Sequence, residues 1–267
     1  IDKAERPMVV YGQGVILGGA EKALAEFIEK GDIPAASTLL GLAALPSSSR
    51  LYQGMIGMHG NVAPNIKTNE CDVLIAVGMR FDDRVTGTLS KYAKQAKVIH
   101  IDIDASEIGK IVPVEVGINA NAAEVLPALT SMIGARRRDA WVDSFSECAR
   151  IECEKVIDRE LHPGEGHIRM GEVIDKVSEV TGGGAVIVTD VGQNQMMAAR
   201  YSRFNRTRSF ISSGGLGTMG FGLPAAIGAK MGAPDRQVCL FVGDGGIQMT
   251  IEELGTVMQE GTGVKVV

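Results

Sequence analysis

The run Cys239-Leu240-Phe241-Val242-Gly243-Asp244-Gly245-Gly246 carries an apolar strand straight into an aspartate set between glycines. In open α/β sheets ligands collect beyond the carboxyl ends of the strands, and glycine lets backbone N–H groups come close to phosphate oxygens. A carboxylate at such a point suits Mg2+, which prefers oxygen ligands in an octahedron completed by water and phosphate. A lone Gly-Asp-Gly is more often a tight turn and nothing more. Two other runs change its context: Thr189-Asp190-Val191-Gly192-Gln193-Asn194-Gln195-Met196, and the stretch from Ser212 to Ala226 that holds Gly214, Gly215, Gly217, Gly220 and Gly222. Each sits at a strand-to-helix transition, so three loops are expected on one sheet edge. Glycine makes up 34 of the 267 residues, well above the usual ~7%, and 14 of these lie between Gly182 and Gly246. The backbone there must turn sharply or approach something closely.

A second group of chemistry-bearing residues stands earlier. Gly57-Met58-His59-Gly60 follows a loop rich in Pro and Ser, and Val77-Gly78-Met79-Arg80-Phe81-Asp82-Asp83-Arg84-Val85-Thr86-Gly87 leaves the end of a strand. Two arginines and two aspartates so close together are, taken alone, the pattern of a solvated charged loop. Gly12-Gln13-Gly14-Val15-Ile16-Leu17-Gly18 is not G-x-G-x-x-G, because the third glycine comes one residue late, so a nicotinamide fingerprint is not present. Asp102 or Asp104, after a strand ending near Ile101, could still stand where a dehydrogenase places its ribose-binding acid. Cys71, Cys148, Cys153 and Cys239 form no Cys-x-x-Cys pair and read as reduced packing residues. His162 and His167 share a loop without carboxylates at ligand spacing and read as solvated.

Strand-like apolar runs at 7–11, 33–38, 72–78, 97–102 and 114–118 are short and rich in Val and Ile, as strands covered on both faces must be. Helices are expected where Ala20, Ala23, Leu24, Phe27 and Ile28 recur at helical spacing, and over 121–133, with Asn121 and Glu124 at the spacing of a capping box. The order β-α-β describes a Rossmann-like layered domain. A polar, helix-prone segment from Arg136 to Gly166 reads as a connector. Alternation then resumes with a helix to Val180, strands at 185–189, 209–212 and 237–242, helices from Gln193 and from Thr250, and a last strand start at Val264. Thr250 and Glu253 have capping-box spacing. With 27 Lys and Arg against 32 Asp and Glu, the net charge is −5, which argues against nucleic acid as the main partner. No apolar run approaches the ~18 residues that cross a bilayer. The start, Ile1-Asp2-Lys3-Ala4-Glu5-Arg6, lacks the order of a signal peptide, so a soluble, cytoplasmic protein without a membrane partner is expected.

Taken together, the three carboxyl-end runs resemble the diphosphate-binding domain of thiamine diphosphate enzymes, and the chain as a whole resembles the large catalytic subunits of the acetolactate synthase family. The resemblance implies an α/β protein: a Rossmann-like parallel-sheet middle domain over 1–135, a linker over 136–166, and an incomplete thiamine diphosphate-binding α/β domain over 167–267. It implies that Asp244 is a Mg2+ ligand and that Gly243 and Gly245 face the diphosphate. Val191, Gly192, Gln193 and Gly217 would lie along the cofactor, and Met219 would wedge beneath it, although a methionine at a helix start is by itself more often core packing. In the first domain the resemblance implies FAD contacts from Gly12, Gly14, Thr38, Leu39, Met58, His59, Gly78, Arg80, Asp82, Asp102 and Ile103. Arg84 would anchor the carboxylate of a 2-oxo acid, since the planar guanidinium fork matches a carboxylate. Arg84 and Met219 are therefore the catalytic candidates. The chain departs from the family pattern at Asn194, where His is usual, and at Ala120-Asn121, where Gly-Asp is usual and Asn121 reads as a helix cap.

The activity implied is condensation of pyruvate with pyruvate or 2-oxobutyrate, with loss of CO2, in branched-chain amino-acid synthesis. A homodimer or higher homo-oligomer and a regulatory small subunit go with it. The family's pyrimidine-binding domain, with its activating Glu, has no counterpart in the chain, and no Asn follows Asn205 to close the metal motif. The chain alone is accordingly expected to be inactive. Two other readings remain beside this one: a non-catalytic FAD or nucleotide-binding module, and another thiamine diphosphate enzyme such as an oxidase or decarboxylase.

Overall fold

The computed structural model describes residues 1–164 and 166–267; Glu165, within the expected linker, lies outside the described residues. The chain forms two compact units, Ile1–Lys155 and Val156–Val267.

The first unit is built on strands β1 (Pro7–Tyr11), β2 (Ala35–Ser37), β3 (Tyr52–Met55), β4 (Val73–Val77), β5 (Lys97–Asp102) and β6 (Val116–Asn119), with helices α1 (Gln13–Leu17), α2 (Glu21–Gly31), α3 (Val62–Thr68), α4 (Asp83–Thr86), α5 (Ala122–Met132) and α6 (Asp139–Glu152). All strand pairs are parallel, in the order β3-β2-β1-β4-β5-β6. Alternate residues of each strand enter different layers. Val9, Tyr11, Ile75, Val77 and Ile101 pack against Leu24, Phe27 and Ile28 of α2 and Leu126 of α5. Met8, Val10, Leu74, Ala76 and Val98 pack with Ala63 of α3 and with Trp141 and Phe145 of α6. Two covered faces explain why these strands are apolar at almost every position.

The segment after Arg136 is not a free connector. Trp141 and Phe145 are buried and meet edge to face at 5.1 Å, and Trp141 Nε1 donates to the Pro7 carbonyl at 2.8 Å. The Glu152 carboxylate accepts from Val62 N at 2.9 Å, capping the start of α3. An apolar stripe hidden in a polar sequence therefore joins α6 to the first unit, which extends to Lys155.

The second unit contains α7 (Asp158–Leu161), α8 (Met170–Val180), β7 (Val186–Thr189), α9 (Gln193–Tyr201), β8 (Phe210–Ser212), α10 (Gly222–Gly232), β9 (Val238–Phe241), α11 (Asp244–Gln248), α12 (Glu253–Glu260) and β10 (Val264–Val266). Its parallel sheet has the order β10-β9-β7-β8. Val186, Val188, Val238 and Leu240 pack against Leu223, Ala226 and Ile227 of α10.

Parallel strands bring all their carboxyl ends to one edge, and the site belongs where the strand order reverses. In the first unit that point lies between β1 and β4; in the second it lies between β7 and β9. No helix among the described residues is long and apolar enough to cross a membrane.

Candidate functional site

At the switch point of the first unit, backbone meets backbone. Gly12 N donates to the Val77 carbonyl at 3.0 Å and Gly14 N to the Gly78 carbonyl at 2.9 Å. A Cβ on Gly12 would lie 2.5 Å from the Gly78 oxygen, and one on Gly14 would lie 2.6 Å from Gly78 Cα. Glycine is thus a steric requirement at this crossing. Thr38 N donates to the Tyr11 carbonyl at 2.8 Å, which sets Thr38 and Leu39 beside it. The loops after β3 and β4 are joined in turn, because Met58 N donates to the Arg84 carbonyl at 2.8 Å.

The charged run after β4 is ordered by its own aspartates. Asp82 caps α4 by accepting from Arg84 N at 3.1 Å, and its other carboxylate oxygen lies 3.5 Å from Arg80 Nη2. The Arg84 side chain is 73% exposed, with Nη1 3.7 Å from Asp83 and 3.9 Å from Met58 Sδ. At the end of β5, Asn119 Nδ2 donates to the carbonyls of Asp102 and Ile103 at 3.1 and 2.9 Å. Met58 is 63% and Ile103 74% exposed on this rim, two large apolar side chains left in water on an otherwise polar edge. Asp104 is committed to Ser106, whose N–H and hydroxyl hold its carboxyl below the usual range. Asn121 caps α5, accepting from Ala123 N at 3.0 Å.

In the second unit the three glycine-rich loops converge. A Cβ on Gly217 would meet Val191 Cγ1 at 4.0 Å, and one on Gly245 would meet Met219 Cε at 3.3 Å. Gly192 (φ +143°) and Gly217 (φ +64°) adopt backbone conformations that L side chains rarely reach. Gln193 opens α9 at the rim, while Asp244 opens α11 with its side chain exposed. No cluster of three or more His, Cys, Asp or Glu that could hold a metal occurs among the described residues. A Mg2+ at Asp244 would therefore draw most of its oxygens from phosphate, backbone and water, which is how this ion is usually held.

Two side chains on this edge do something other than their sequence context suggests. Asn194 is buried, and its Nδ2 donates to the Phe241 carbonyl at 2.8 Å, so the amide holds β9 and does not face the rim. Thr250 does not cap α12 with its side chain: its hydroxyl donates to the Gly220 carbonyl at 3.2 Å, across to the preceding loop. Thr189, Ser212 and Gln195 form a further tie, with Thr189 Oγ1 and Gln195 Nε2 both donating to Ser212 Oγ, at 2.8 and 2.6 Å.

The residue that pattern reading missed is Asp190. It is fully buried directly after β7, and its carboxylate accepts from Val191 N at 2.8 Å, Gly220 N at 3.2 Å and Gly222 N at 2.8 Å. An Asp-Val-Gly run reads as an ordinary turn; only the tertiary positions of Gly220 and Gly222 reveal its task.

The buried Cys71 is inert by environment, since burial pushes its thiol up to about 12, far from the range of a nucleophile or metal ligand.

Both units are parallel sheets with glycine-lined loops at a switch point, the place where open α/β sheets bind their ligands. Residues 1–129 match the central domain of thiamine pyrophosphate enzymes, and residues 190–267 match their C-terminal TPP binding domain. These two matches cover more than three quarters of the chain, which belongs to the thiamine pyrophosphate enzyme family. It is 43% identical over 265 residues to the acetolactate synthase large subunit of Lactococcus lactis, covering 99% of this chain and 45% of that protein. It is 42% identical to the acetolactate synthase isozyme 2 large subunit of Escherichia coli, covering 99% and 47%, and 42% identical to the large subunit of Corynebacterium glutamicum, covering 100% and 43%. The chain spans about half the length of the curated relatives it matches.

Proposed function

We propose that the chain is the flavin-holding and diphosphate-holding portion of an acetolactate synthase large subunit. It would act with a regulatory small subunit, in a homodimer or larger homo-oligomer, on small 2-oxo acids in the cytoplasm. The observation that carries this reading is the convergence of the loops at 190–193, 217–222 and 243–246 around one exposed carboxylate, Asp244.

When bound, thiamine diphosphate would supply the electron sink for loss of CO2 from a 2-oxo acid. The protein's own share is positional. Asp244 offers Mg2+ a hard oxygen ligand, and the backbone at Gly243, Gly245, Gly192 and Gly217 can approach diphosphate oxygens because no side chain intervenes. Val191 and Met219 give the rim an apolar wall, with Gln193 beside it. In the first unit the Gly12–Gly14–Gly78 crossing holds the two strand ends against each other, and FAD would lie along the edge above it, against Thr38, Leu39, His59, Asp82 and Asp102. The exposed Met58 and Ile103 suit the flat rings of FAD, while Arg80 suits its phosphates. Arg84, exposed and able to fork onto a carboxylate, holds the acceptor 2-oxo acid in place. Pyruvate and 2-oxobutyrate present the same carboxylate to it.

The test uses the purified full-length polypeptide. A flavin absorption band and Mg2+-dependent binding of thiamine diphosphate by calorimetry are expected. Asp244→Asn should weaken that binding by about tenfold or more, since even the outer partners of metal ligands are worth that much, while leaving the flavin band in place. Unchanged affinity would remove Asp244 from the metal site, and failure of the wild type to form acetolactate would favour an oxidase, a decarboxylase or a non-catalytic module.

A further inference from the structure

We infer that Asp190 is a positioning residue for the diphosphate site, a buried carboxylate that sets the three cofactor loops from behind without reaching the rim itself. The inference rests on the thiamine diphosphate reading above and goes further by naming what holds that site in shape.

The argument begins with cost. Asp190 has no exposed surface, and no cation is paired with it among the described residues. A buried carboxylate is tolerated only when hydrogen bonds replace its water, and here backbone N–H groups supply them. The donors come from separate stretches of chain: Val191 N from the loop after β7, Gly220 N from the loop before α10, and Gly222 N from the first residue of α10. The third loop is held by contact. A Cβ on Gly246 would fall 2.7 Å from Asp190 Oδ1, so this glycine admits the carboxylate against the start of α11, two residues after Asp244. Gly222 is equally constrained, with Asp190 N and Cβ each 3.0 Å from the position of a Cβ. Asp190 N in turn donates to the Phe241 carbonyl at 3.0 Å, the last residue of β9 before Gly243-Asp244. One side chain thus fixes the relative positions of all three loops.

A residue needed only for folding would lower stability and leave the affinity of the folded protein alone. A positioning residue alters affinity in protein that is still folded. In the full-length polypeptide, Asp190→Asn keeps the size but sets an amide donor against backbone donors. It should raise the Kd for thiamine diphosphate with Mg2+ by about tenfold or more in calorimetry, with flavin content unchanged. Gly246→Ala keeps the carboxylate but pushes on it from the opposite loop, and should weaken binding in the same direction. Wild-type affinity in either folded variant overturns the inference. Should both variants fail to fold, hydrogen exchange in the wild type decides. The amides of Val191, Gly220 and Gly222 should exchange slowly and together, and fast or independent exchange overturns the tie. A wild type that binds no thiamine diphosphate would sink the cofactor reading instead, and the exchange result would then judge the tie by itself.

Discussion

The two switch points use one topology and opposite means. Between β1 and β4, the loops are locked by glycine backbones so close that even a methyl group is excluded, and the charged side chains stay outside, on the rim. Between β7 and β9, several glycines have open space where a side chain would go, Gly243 and Gly215 among them, and a charged side chain sits inside and draws the loops together. The first site is therefore governed by sterics and the second by hydrogen bonding to a buried anion. Glycine means different things in each: at Gly12 it is demanded by the neighbouring strand, whereas at Gly243 nothing lies within 4 Å of where a Cβ would stand.

The sharpest way to break this contrast is paired substitution. Gly12→Ala should destabilise the first unit by about 3 kcal/mol, the upper range for overpacking, and should empty the proposed flavin site, as read by urea unfolding and by flavin content of the full-length polypeptide. Gly243→Ala should move stability by no more than about 0.5 kcal/mol, as expected for an unconstrained surface position. Equal costs would mean the two edges are held alike. The next effect belongs to the rim. In the full-length polypeptide, the role proposed for Arg84 predicts that Arg84→Ala raises the KM for the acceptor 2-oxo acid by about tenfold, the worth of one charge-assisted hydrogen bond, with stability nearly unchanged because its pair with Asp83 is exposed. An unaltered KM would return Arg84 to the role of a solvated charge.

A smaller effect probes the interior of the first unit. The folded state holds Cys71 as a thiol up to about 12, against an ordinary value near 9. Its share of stability is therefore complete below pH 9 and is lost as pH rises towards 12, because the unfolded chain releases the proton first. Between about pH 8 and 9.5 the loss should come to about 1 kcal/mol in urea titrations, and Cys71→Ala should lack that share. An identical pH slope in the variant would show that Cys71 is not the group responsible.

Much of this architecture could be read from residue order because the local and tertiary demands agree. Val9, Ile75 and Val188 sit in short runs apolar on both faces, and only a covered parallel sheet accommodates such runs. The glycines at 12, 14, 78 and 192 follow strand ends, and Gly217 lies in the loop between β8 and α10, where the fold needs turns. What escaped notice depends on partners distant in sequence. Strand β3 carries Gln53 and Gly54 and lacks a Val-rich signature, yet it pairs with β2. Helix α3 has Pro64 near its start and borrows its cap from Glu152, 90 residues away. Thr250 and Glu253 have the spacing of a capping box, but α12 begins at Glu253 itself, and the Thr250 hydroxyl donates to the distant Gly220 carbonyl. In sequence Asp190 is indistinguishable from a turn aspartate, because its partners Gly220 and Gly222 lie 30 and 32 residues away.

The seating of α6 bears on where this polypeptide can be cut. An excision made after Gly134, at the foot of α5, would carry away Trp141, Phe145 and Glu152 together. That would strip one side of the sheet and leave the amino end of α3 uncapped. A free-standing first unit for expression, crystallography or fusion has to keep the chain through at least Glu152, and proteases should find their first purchase beyond that helix.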